Sequence, residues 1–332
     1  YKTYNSINII GMGGSALGSR AIYNFLKKKI KKTVNFLDNL NLKKKQSKHN
    51  KSLNIIISKS GNTLETIVNF SNNYNYKDKN IFITENRSNY LNKLADKLKC
   101  EVIEQKNYIG GRFSVLSEVG MLPAQLMGLN ERKFKKFNQL IVKKRFLNNL
   151  ITNVLSIFKY YKSKKYNSVI LNYDPFCEDL FKWYQQLVSE SLGKNSKGII
   201  PIISTMPKDN HSLLQLYLSG FKSNFYTFCI TEEKKNSLLN SKLLFDEFKF
   251  LKQNNVYRVL NSQRKATENI FSLKNIPYRS FHIKTRNEET LGEFFCFFTL
   301  EVILLSHLLK VNLLTQPEVE LVKKETFKIL KT

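Results

Sequence analysis

The stretch Ile55-Ile-Ile-Ser-Lys-Ser-Gly-Asn-Thr-Leu-Glu-Thr66 decides the fold expected for this chain. Its β-branched apolar beginning is typical of a buried strand, and the residues after Thr63 follow a helical pattern. A parallel strand delivers its loop to the carboxyl edge of the sheet, where open α/β folds bind ligands. The hydroxyls, the cation of Lys59 and the N–H groups at the start of the helix suit a phosphate. The alternative is an ordinary turn with a Ser/Thr helix cap.

Strands and helices alternate on both sides of this stretch. A strand ending at Ile10 runs into a glycine loop at residues 11–18, which lacks the spacing of a dinucleotide fingerprint. We expect these glycines to let the backbone approach a ligand closely, with Ser15 as a donor at the start of the next helix. Further strands are expected at residues 33–37, 53–58, 80–84 and 101–103, with helices at 63–74, 89–98 and 115–128.

The alternation begins again after a long basic helical connector, which we expect over residues 131–165. Strands are predicted at 169–173, 199–204, 225–230 and 280–284, and helices from about Glu178 to Gly193, from 207 to 220 and from Glu288 to about Leu309. Residues 231–277 read as a mixed segment. The chain is therefore predicted to be α/β, with two doubly wound parallel-sheet domains (three-layer α/β/α sandwiches) at 1–150 and 151–310 and a helical C-terminal tail at 311–332.

The net charge of +28 raises the possibility of nucleic-acid binding, but its distribution argues against it. Only nine of the 54 cationic residues are Arg, and the Lys residues are spread along the chain. The densest run, Lys27 to Lys32 with Lys43 to Lys45 beyond it, reads as a solvated helix end and loop. We expect no nucleic-acid partner.

The cysteines and the apolar runs indicate the compartment. The four Cys, at positions 100, 177, 229 and 296, lack the paired spacing of a zinc site and are expected to be reduced in a cytoplasmic protein. We expect neither a signal peptide nor an apolar run long enough to span a membrane. The chain begins almost on a strand, so an N-terminal segment is expected to be missing or unusually short.

Two further segments carry residues suited to chemistry. Arg112 follows two glycines, where the backbone and the guanidinium can both reach a ligand, although a surface loop position is the alternative. Gln186 and Glu190 lie four residues apart and therefore share one helix face, separate from the apolar stripe of that helix.

Five segments together resemble the phosphoglucose isomerase family in order and spacing over nearly the whole chain. They are the glycine loop 11–18, the loop Ser58-Lys-Ser-Gly-Asn-Thr63, Gly110-Gly-Arg-Phe-Ser114, Gln185 to Lys194 with Asp209-Asn-His-Ser212, and Gln316 to Lys323. The resemblance implies two sugar-isomerase domains, a homodimer with shared active sites, and no metal or organic cofactor. It also implies interconversion of glucose 6-phosphate and fructose 6-phosphate through a cis-enediol.

The resemblance assigns roles to thirteen residues. It implies that Glu190 is the base that moves the proton between C1 and C2, and that Arg112 stabilises the enediolate. His211, expected in the first turn of its helix, would open the ring with the help of Lys323, for which Lys324 could substitute. The residues that it implies bind substrate are Gly14, Ser15, Ser58, Lys59, Ser60, Thr63, Gly111, Gln186 and Gln316.

Two other functions stay open at this point. A related family with a similar glycine loop also accepts mannose 6-phosphate, although the segment at 110–114 and the helix carrying Glu190 favour the glucose enzyme. A sugar-phosphate sensor would keep the phosphate loop and commonly lose the base, so Glu190, Arg112 and His211 together argue against it.

Overall fold

The structure is a computed structural model that describes Tyr1 and residues 3–40, 51–232, 238–240 and 244–332. The described residues form two parallel sheets. The strands of the first sheet are β1 (Ser6–Ile10), β2 (Thr33–Leu37), β3 (Leu53–Ile57), β4 (Lys79–Thr84) and β5 (Glu101–Glu104). The strands of the second sheet are β6 (Asn167–Asn172), β7 (Ile200–Thr205), β8 (Asn224–Thr231) and β9 (Tyr278–Ile283). The predicted fold class, two parallel-sheet α/β domains, is confirmed.

The α-helices follow the strands as the alternation predicts. The first half contains α1 (Leu17–Phe25), α2 (Leu64–Asn73), α3 (Tyr90–Leu98), α4 (Glu118–Leu126), α5 (Glu131–Phe134), α6 (Asn138–Ile141) and α7 (Lys144–Lys162). The second half contains α8 (Glu178–Leu192), α9 (Leu214–Ser219), α10 (Val256–Leu273), α11 (Glu288–Leu309) and the tail helix α12 (Pro317–Ile329).

The strand order places a binding crevice in the first sheet. Its order is β2-β1-β3-β4-β5, so the chain leaves β1 toward one edge and leaves β3 toward the other. The loops after these two central strands therefore diverge, and open α/β sheets bind ligands at this switch point. The second sheet repeats the pattern with the order β7-β6-β8-β9.

Successive residues of the strands point to opposite faces and build three layers. Ile55 and Ile57 join the large core between the two sheets, which α1, α4, α8 and α11 also enter, whereas Ile56 packs on the outer face beneath α2 and α3. Trp183 of α8 meets Phe295 of α11 in the shared core, with ring centroids 4.8 Å apart. The two domains are thus held together by one continuous apolar layer.

A row of asparagines fixes the register of the first sheet. The side chain of Asn8 on β1 bonds to Asn35 on β2 and to Asn54 on β3, and Asn54 also donates to Asn80 on β4 over 2.9 Å. These residues are direct partners across the strands. A slip of one residue would bury unpaired amides, so the row favours this pairing.

The expectation that no apolar run reaches the length of a membrane span is wrong for α11. This helix has 22 residues and is apolar enough by composition, but half of its most apolar window is buried. It also carries the fully buried Glu301, which accepts from Tyr184 of α8 over 2.6 Å and pairs with Arg279 of β9. These contacts make α11 a core helix of the second domain.

Two local expectations differ from the structure. The connector predicted over 131–165 is three helices, and the first of them, α5, packs so closely on α11 that a β-carbon at Gly292 would lie 2.0 Å from the carbonyl oxygen of Phe134. The mixed segment contains the 18-residue helix α10, capped by Asn255. The Lys43 to Lys45 part of the basic run lies outside the described residues, and the domain bounds stay predictions.

Candidate active site

The site begins where the loops after β1 and β3 meet the segment that carries Arg112. A 3₁₀ helix at Gly13–Ser15 follows β1, and a second one at Gly111–Leu116 packs against it. A β-carbon built at Gly14 would lie 2.3 Å from the carbonyl of Gly111. Glycine at position 14 therefore allows one loop backbone to touch the other, a role beyond the expected approach to a ligand.

Hydroxyl groups line the loop after β3, as the sequence predicts. Ser58 is buried, and its hydroxyl lies 2.8 Å from that of Thr63. Thr63 is the N-cap residue of α2 but makes no side-chain cap bond, so the alternative of a simple Ser/Thr cap does not describe this loop. The first N–H groups of α2 lack intrahelical acceptors and favour an anion there.

Lys59 contacts the loops that follow β4 and β5. Its ammonium donates to the carbonyl of Asn107 over 2.6 Å and lies 3.5 Å from a carboxylate oxygen of Glu85. The hydroxyl of Ser60 instead stays in the loop and accepts from the N–H of Asn62. The ammonium of Lys59, which was predicted to supply charge to the phosphate, is thus bound to protein groups in this structure. Its role toward phosphate stays a prediction.

The guanidinium of Arg112 joins the first domain to the second and to the tail. Arg112 is 5% exposed, and its Nη1 donates to Oε2 of Glu190 and to Oε1 of Gln316, each over 3.0 Å. Its Nη2 donates to the carbonyl of Leu313. A buried cation needs such partners, because an isolated buried charge is costly.

Glu190 lies on α8, and its Oε2 accepts the hydrogen bond from Arg112. Its Oε1 accepts from Nε2 of Gln186 over 2.8 Å, as expected for two residues four apart on one helix. Each carboxylate oxygen therefore has one donor and retains a further lone pair. Oε1 of Gln186 and Nε of Arg112 are among the buried polar atoms that lack a hydrogen-bond partner in the described part of the chain.

An open cavity of about 590 Å³ adjoins this cluster. It is lined by the turn after α8 and by the start of α12, and Glu190, Lys194 and Gln316 all border it. A cavity of this size accommodates a small ligand. The predicted residues Arg112, Gln186, Glu190 and Gln316 are therefore joined by hydrogen bonds, and two of them, Glu190 and Gln316, border the cavity.

His211 and Lys323 are not part of this cluster. His211 is exposed and ends a 3₁₀ helix at Lys208–His211, three residues before α9, so its expected place in the first turn of an α-helix is wrong. Asp209 shapes this turn by accepting bonds from Ser204, Thr205 and Ser212. Lys323 is about half exposed on α12 and pairs with Glu320. In the described part of the chain, no hydrogen bond or ion pair joins either residue to Glu190.

Sequence reasoning missed two contributors to the site. The carbonyl of Leu313 anchors Arg112, and no side-chain pattern reveals a main-chain acceptor. Lys194 follows Glu190 by four residues and donates to the last turn of α8. A cation just beyond a helix that carries a carboxylate is the signal that could have found it.

The structure thus combines two parallel-sheet α/β domains, a hydroxyl-rich loop at a switch point and a buried arginine–carboxylate pair. The family model described as phosphoglucose isomerase matches residues 1–206. The chain belongs to the phosphoglucose isomerase family.

Relatives and solved structures agree with this membership. A glucose-6-phosphate isomerase of Methanocaldococcus jannaschii is 32% identical over an alignment of 346 positions, which covers 99% of this chain and 85% of the relative. A crystal structure of a hypothetical protein from Thermus thermophilus has a TM-score of 0.89 at 22% identity, covering 99% of this chain and 84% of that one. A crystal structure of a glucose-6-phosphate isomerase from Chlamydia trachomatis has a TM-score of 0.77 at 17% identity, and the match covers 99% of this chain and 70% of that one. At these identities the two structures show the shared fold.

The contact between the two glycine loops generates a stability prediction. Gly14→Ala places a methyl group against the Gly111 carbonyl, so it should lower the free energy of unfolding by about 1–3 kcal/mol. Gly111→Ala is the matched control, because a β-carbon there meets nothing within 4 Å. Urea unfolding of both variants measures the difference. Equal stability of the two variants would contradict the packing described for Gly14.

Proposed function

We propose that this enzyme interconverts glucose 6-phosphate and fructose 6-phosphate by ring opening and proton transfer through a cis-enediol. The observation that carries the proposal is the contact of Arg112 with Glu190 beside the cavity, with Gln186 holding the second carboxylate oxygen. The names of the relatives support the same substrates. Since the cluster retains the carboxylate and the guanidinium, it favours an enzyme over a sensor that only binds sugar phosphate.

Glu190 is suited to the proton transfer between C1 and C2. Moving a proton next to a carbonyl needs one base that reaches both carbons. Gln186 and Arg112 each hold one oxygen of Glu190, so the carboxylate has a fixed orientation and free lone pairs. It can take the proton from one carbon, hold it as the carboxylic acid, and return it to the other.

Arg112 is suited to the charge that develops on the substrate. Abstraction of the proton places negative charge on the oxygen of the enediolate, and a preorganised donor lowers the energy of that state. Arg112 already donates to Glu190, Gln316 and the carbonyl of Leu313, so its guanidinium is held in one orientation toward that charge.

The phosphate of the substrate would bind at the carboxyl ends of β1 and β3. Ser58, Ser60 and Thr63 offer hydroxyls there, and the start of α2 adds N–H groups and the positive end of its dipole. Gly14 and Ser15 border the same crevice from β1, and Gly111 contacts Gly14. Lys59 would have to leave Asn107 to meet the phosphate.

We further propose a homodimer in which His211 enters the site of the partner subunit. The described part of one chain provides the cluster around Glu190 without a histidine, and His211 is exposed at the carboxyl end of β7. Ring opening requires a group that exchanges protons near neutral pH, which suits histidine. Lys323, with Lys324 as the alternative, would assist from the exposed helix α12.

Each proposed domain supplies different residues to the reaction. Residues 1–150 supply the phosphate loop and Arg112, residues 151–310 supply Glu190, and the tail 311–332 supplies Gln316 and Lys323. We also propose that the protein works in the cytoplasm, because its four cysteines are free and three of them are buried, as expected of a reducing compartment.

Substitution of the base tests the proposed reaction. In a coupled assay of fructose 6-phosphate conversion, Glu190→Gln should lower kcat by about a hundred- to ten-thousandfold, because glutamine cannot take up the proton. The KM should change little, since the phosphate contacts lie elsewhere. Glu178→Gln, at a half-buried position in the first turn of the same helix, is the control and should keep normal turnover. Near-normal turnover of Glu190→Gln would reject this residue as the base.

Mixed dimers test the shared site. His211→Ala and Glu190→Gln subunits should each form inactive homodimers, whereas a heterodimer of the two contains one site with both native residues. We therefore expect activity to return on coexpression, measured after separation by two affinity tags. Purified heterodimers that stay as inactive as the parents would contradict donation of His211 across the interface.

A further inference from the structure

Lys194 occupies a tight turn directly behind the proposed base. The chain reverses after α8, so that Lys194 and Lys197 exchange two backbone hydrogen bonds, of 3.1 and 2.9 Å. Between them Asn195 and Ser196 have φ angles of 52° and 56°. Two central residues with positive φ are the mark of a tight two-residue hairpin turn, which fixes both lysines relative to α8.

The ammonium of Lys194 completes the last turn of α8. It donates to the carbonyl of Glu190 over 2.6 Å and to that of Ser191 over 2.7 Å. These carbonyls belong to the last turn of the helix, where no N–H of the same helix can reach them. The positive charge of Lys194 also lies at the negative end of the helix dipole, and this interaction is favourable.

Lys197 makes the equivalent contact to a different helix. Its ammonium donates over 2.9 Å to the carbonyl of Leu309, the last residue of α11. The two lysines of one turn thus cap two helices. Lys194, however, caps α8, the helix that carries Glu190, and one of its two acceptors is the backbone carbonyl of Glu190.

We propose that Lys194 is a positioning residue of the isomerase reaction, which holds the last turn of α8 so that Glu190 faces Arg112 and the cavity. This inference rests on the proposed function. Glu190 is the third residue from the end of α8, a region of a helix that frays when its carbonyls lack donors. A shift of about 1 Å in a reacting group can cost a hundredfold in rate, so the cap affects the chemistry.

The charges around Lys194 come from four elements. Glu190 on α8 attracts its ammonium, and Arg112 on the 3₁₀ helix Gly111–Leu116 repels it. Lys197 lies across the turn, and Glu318 in the first turn of α12 lines the same cavity. Burial first, and then the charge of Arg112, lower the pKa of Lys194, whereas Glu190 acts in the opposite direction. Lys194 therefore loses its proton at a lower pH than an ordinary lysine.

Steady-state kinetics of Lys194 variants test the role. Lys194→Met removes the donors and should lower kcat by about tenfold to a hundredfold, with KM within about twofold because the phosphate loop is untouched. Lys194→Arg keeps the charge and should recover much of kcat. Because arginine does not lose its proton, the alkaline fall in kcat should also move to higher pH in Lys194→Arg.

Lys197→Met, which removes the other lysine cap of this turn, is the control for stability alone, and both variants should show a lower thermal midpoint. Lys165→Met is the control for kcat, because Lys165 also donates to a main-chain carbonyl, that of Lys222 over 2.6 Å, but does not line the cavity. It should keep kcat within about twofold. Wild-type kcat in Lys194→Met, or an equal loss of kcat in Lys165→Met, would overturn the positioning role while leaving the proposed function intact. A wild-type chain that converts neither sugar phosphate would instead overturn the proposed function.

Discussion

The buried guanidinium of Arg112 is the constraint on which the site depends. It is almost fully removed from water, so its charge must be balanced by protein acceptors, and these come from two parts of the chain that are both far from it in sequence. Glu190 belongs to α8, Leu313 follows α11, and Gln316 begins α12. The requirement to satisfy one cation therefore brings together both domains and the tail, and the same cation is the group best placed to stabilise an enediolate.

The core between the two sheets keeps this arrangement in place. Helix α8 packs against α1 of the first domain and against α11 of the second. Its Tyr184 is tied to Glu301, which in turn pairs with Arg279 of β9. Burial and the neighbouring Glu301 carboxylate raise the pKa of Tyr184, so its hydroxyl stays a proton donor in this network. The helix is thus fixed by apolar contacts along one face and by a buried polar network, and its carboxyl-terminal turn presents Glu190 to the first domain.

Much of the fold could be predicted because the buried strands leave strong local signals. The β-branched runs of β1, β3 and β4 gave their positions to within about a residue, and the apolar pattern gave both ends of α11. Helix α10 was missed because it is polar, and its buried Arg264 is accommodated by an ion pair with Glu268 that no apolar periodicity indicates. The close approach of α5 to Gly292 of α11 joins segments more than 150 residues apart in the chain, so no local pattern indicated it.

The candidate site could likewise be predicted where it depends on short segments, but not where it depends on contacts between distant parts of the chain. The loop after β3, the pair of Gln186 and Glu190, and Arg112 were predicted because each lies in a short segment that resembles a known family. The contacts of Lys59 with Asn107 and Glu85, and the anchoring of Arg112 by a main-chain carbonyl, could not be predicted, because they depend on loops that meet only in the folded chain. His211 was placed in the wrong type of helix because Asp209 gathers three donors into a tight turn, which helix-capping rules alone do not anticipate.

The central claim is that one carboxylate carries a proton between two carbons of the same sugar, and transfer of isotope from C2 tests it most directly. Glucose 6-phosphate deuterated at C2 should give fructose 6-phosphate with part of the label at C1, while the remainder exchanges with water from the protonated carboxyl group of Glu190. The Glu190→Gln enzyme should transfer almost none in the same time. Complete retention of the label at C1 without any exchange, or unchanged transfer in the Glu190→Gln enzyme, would contradict the proton shuttle.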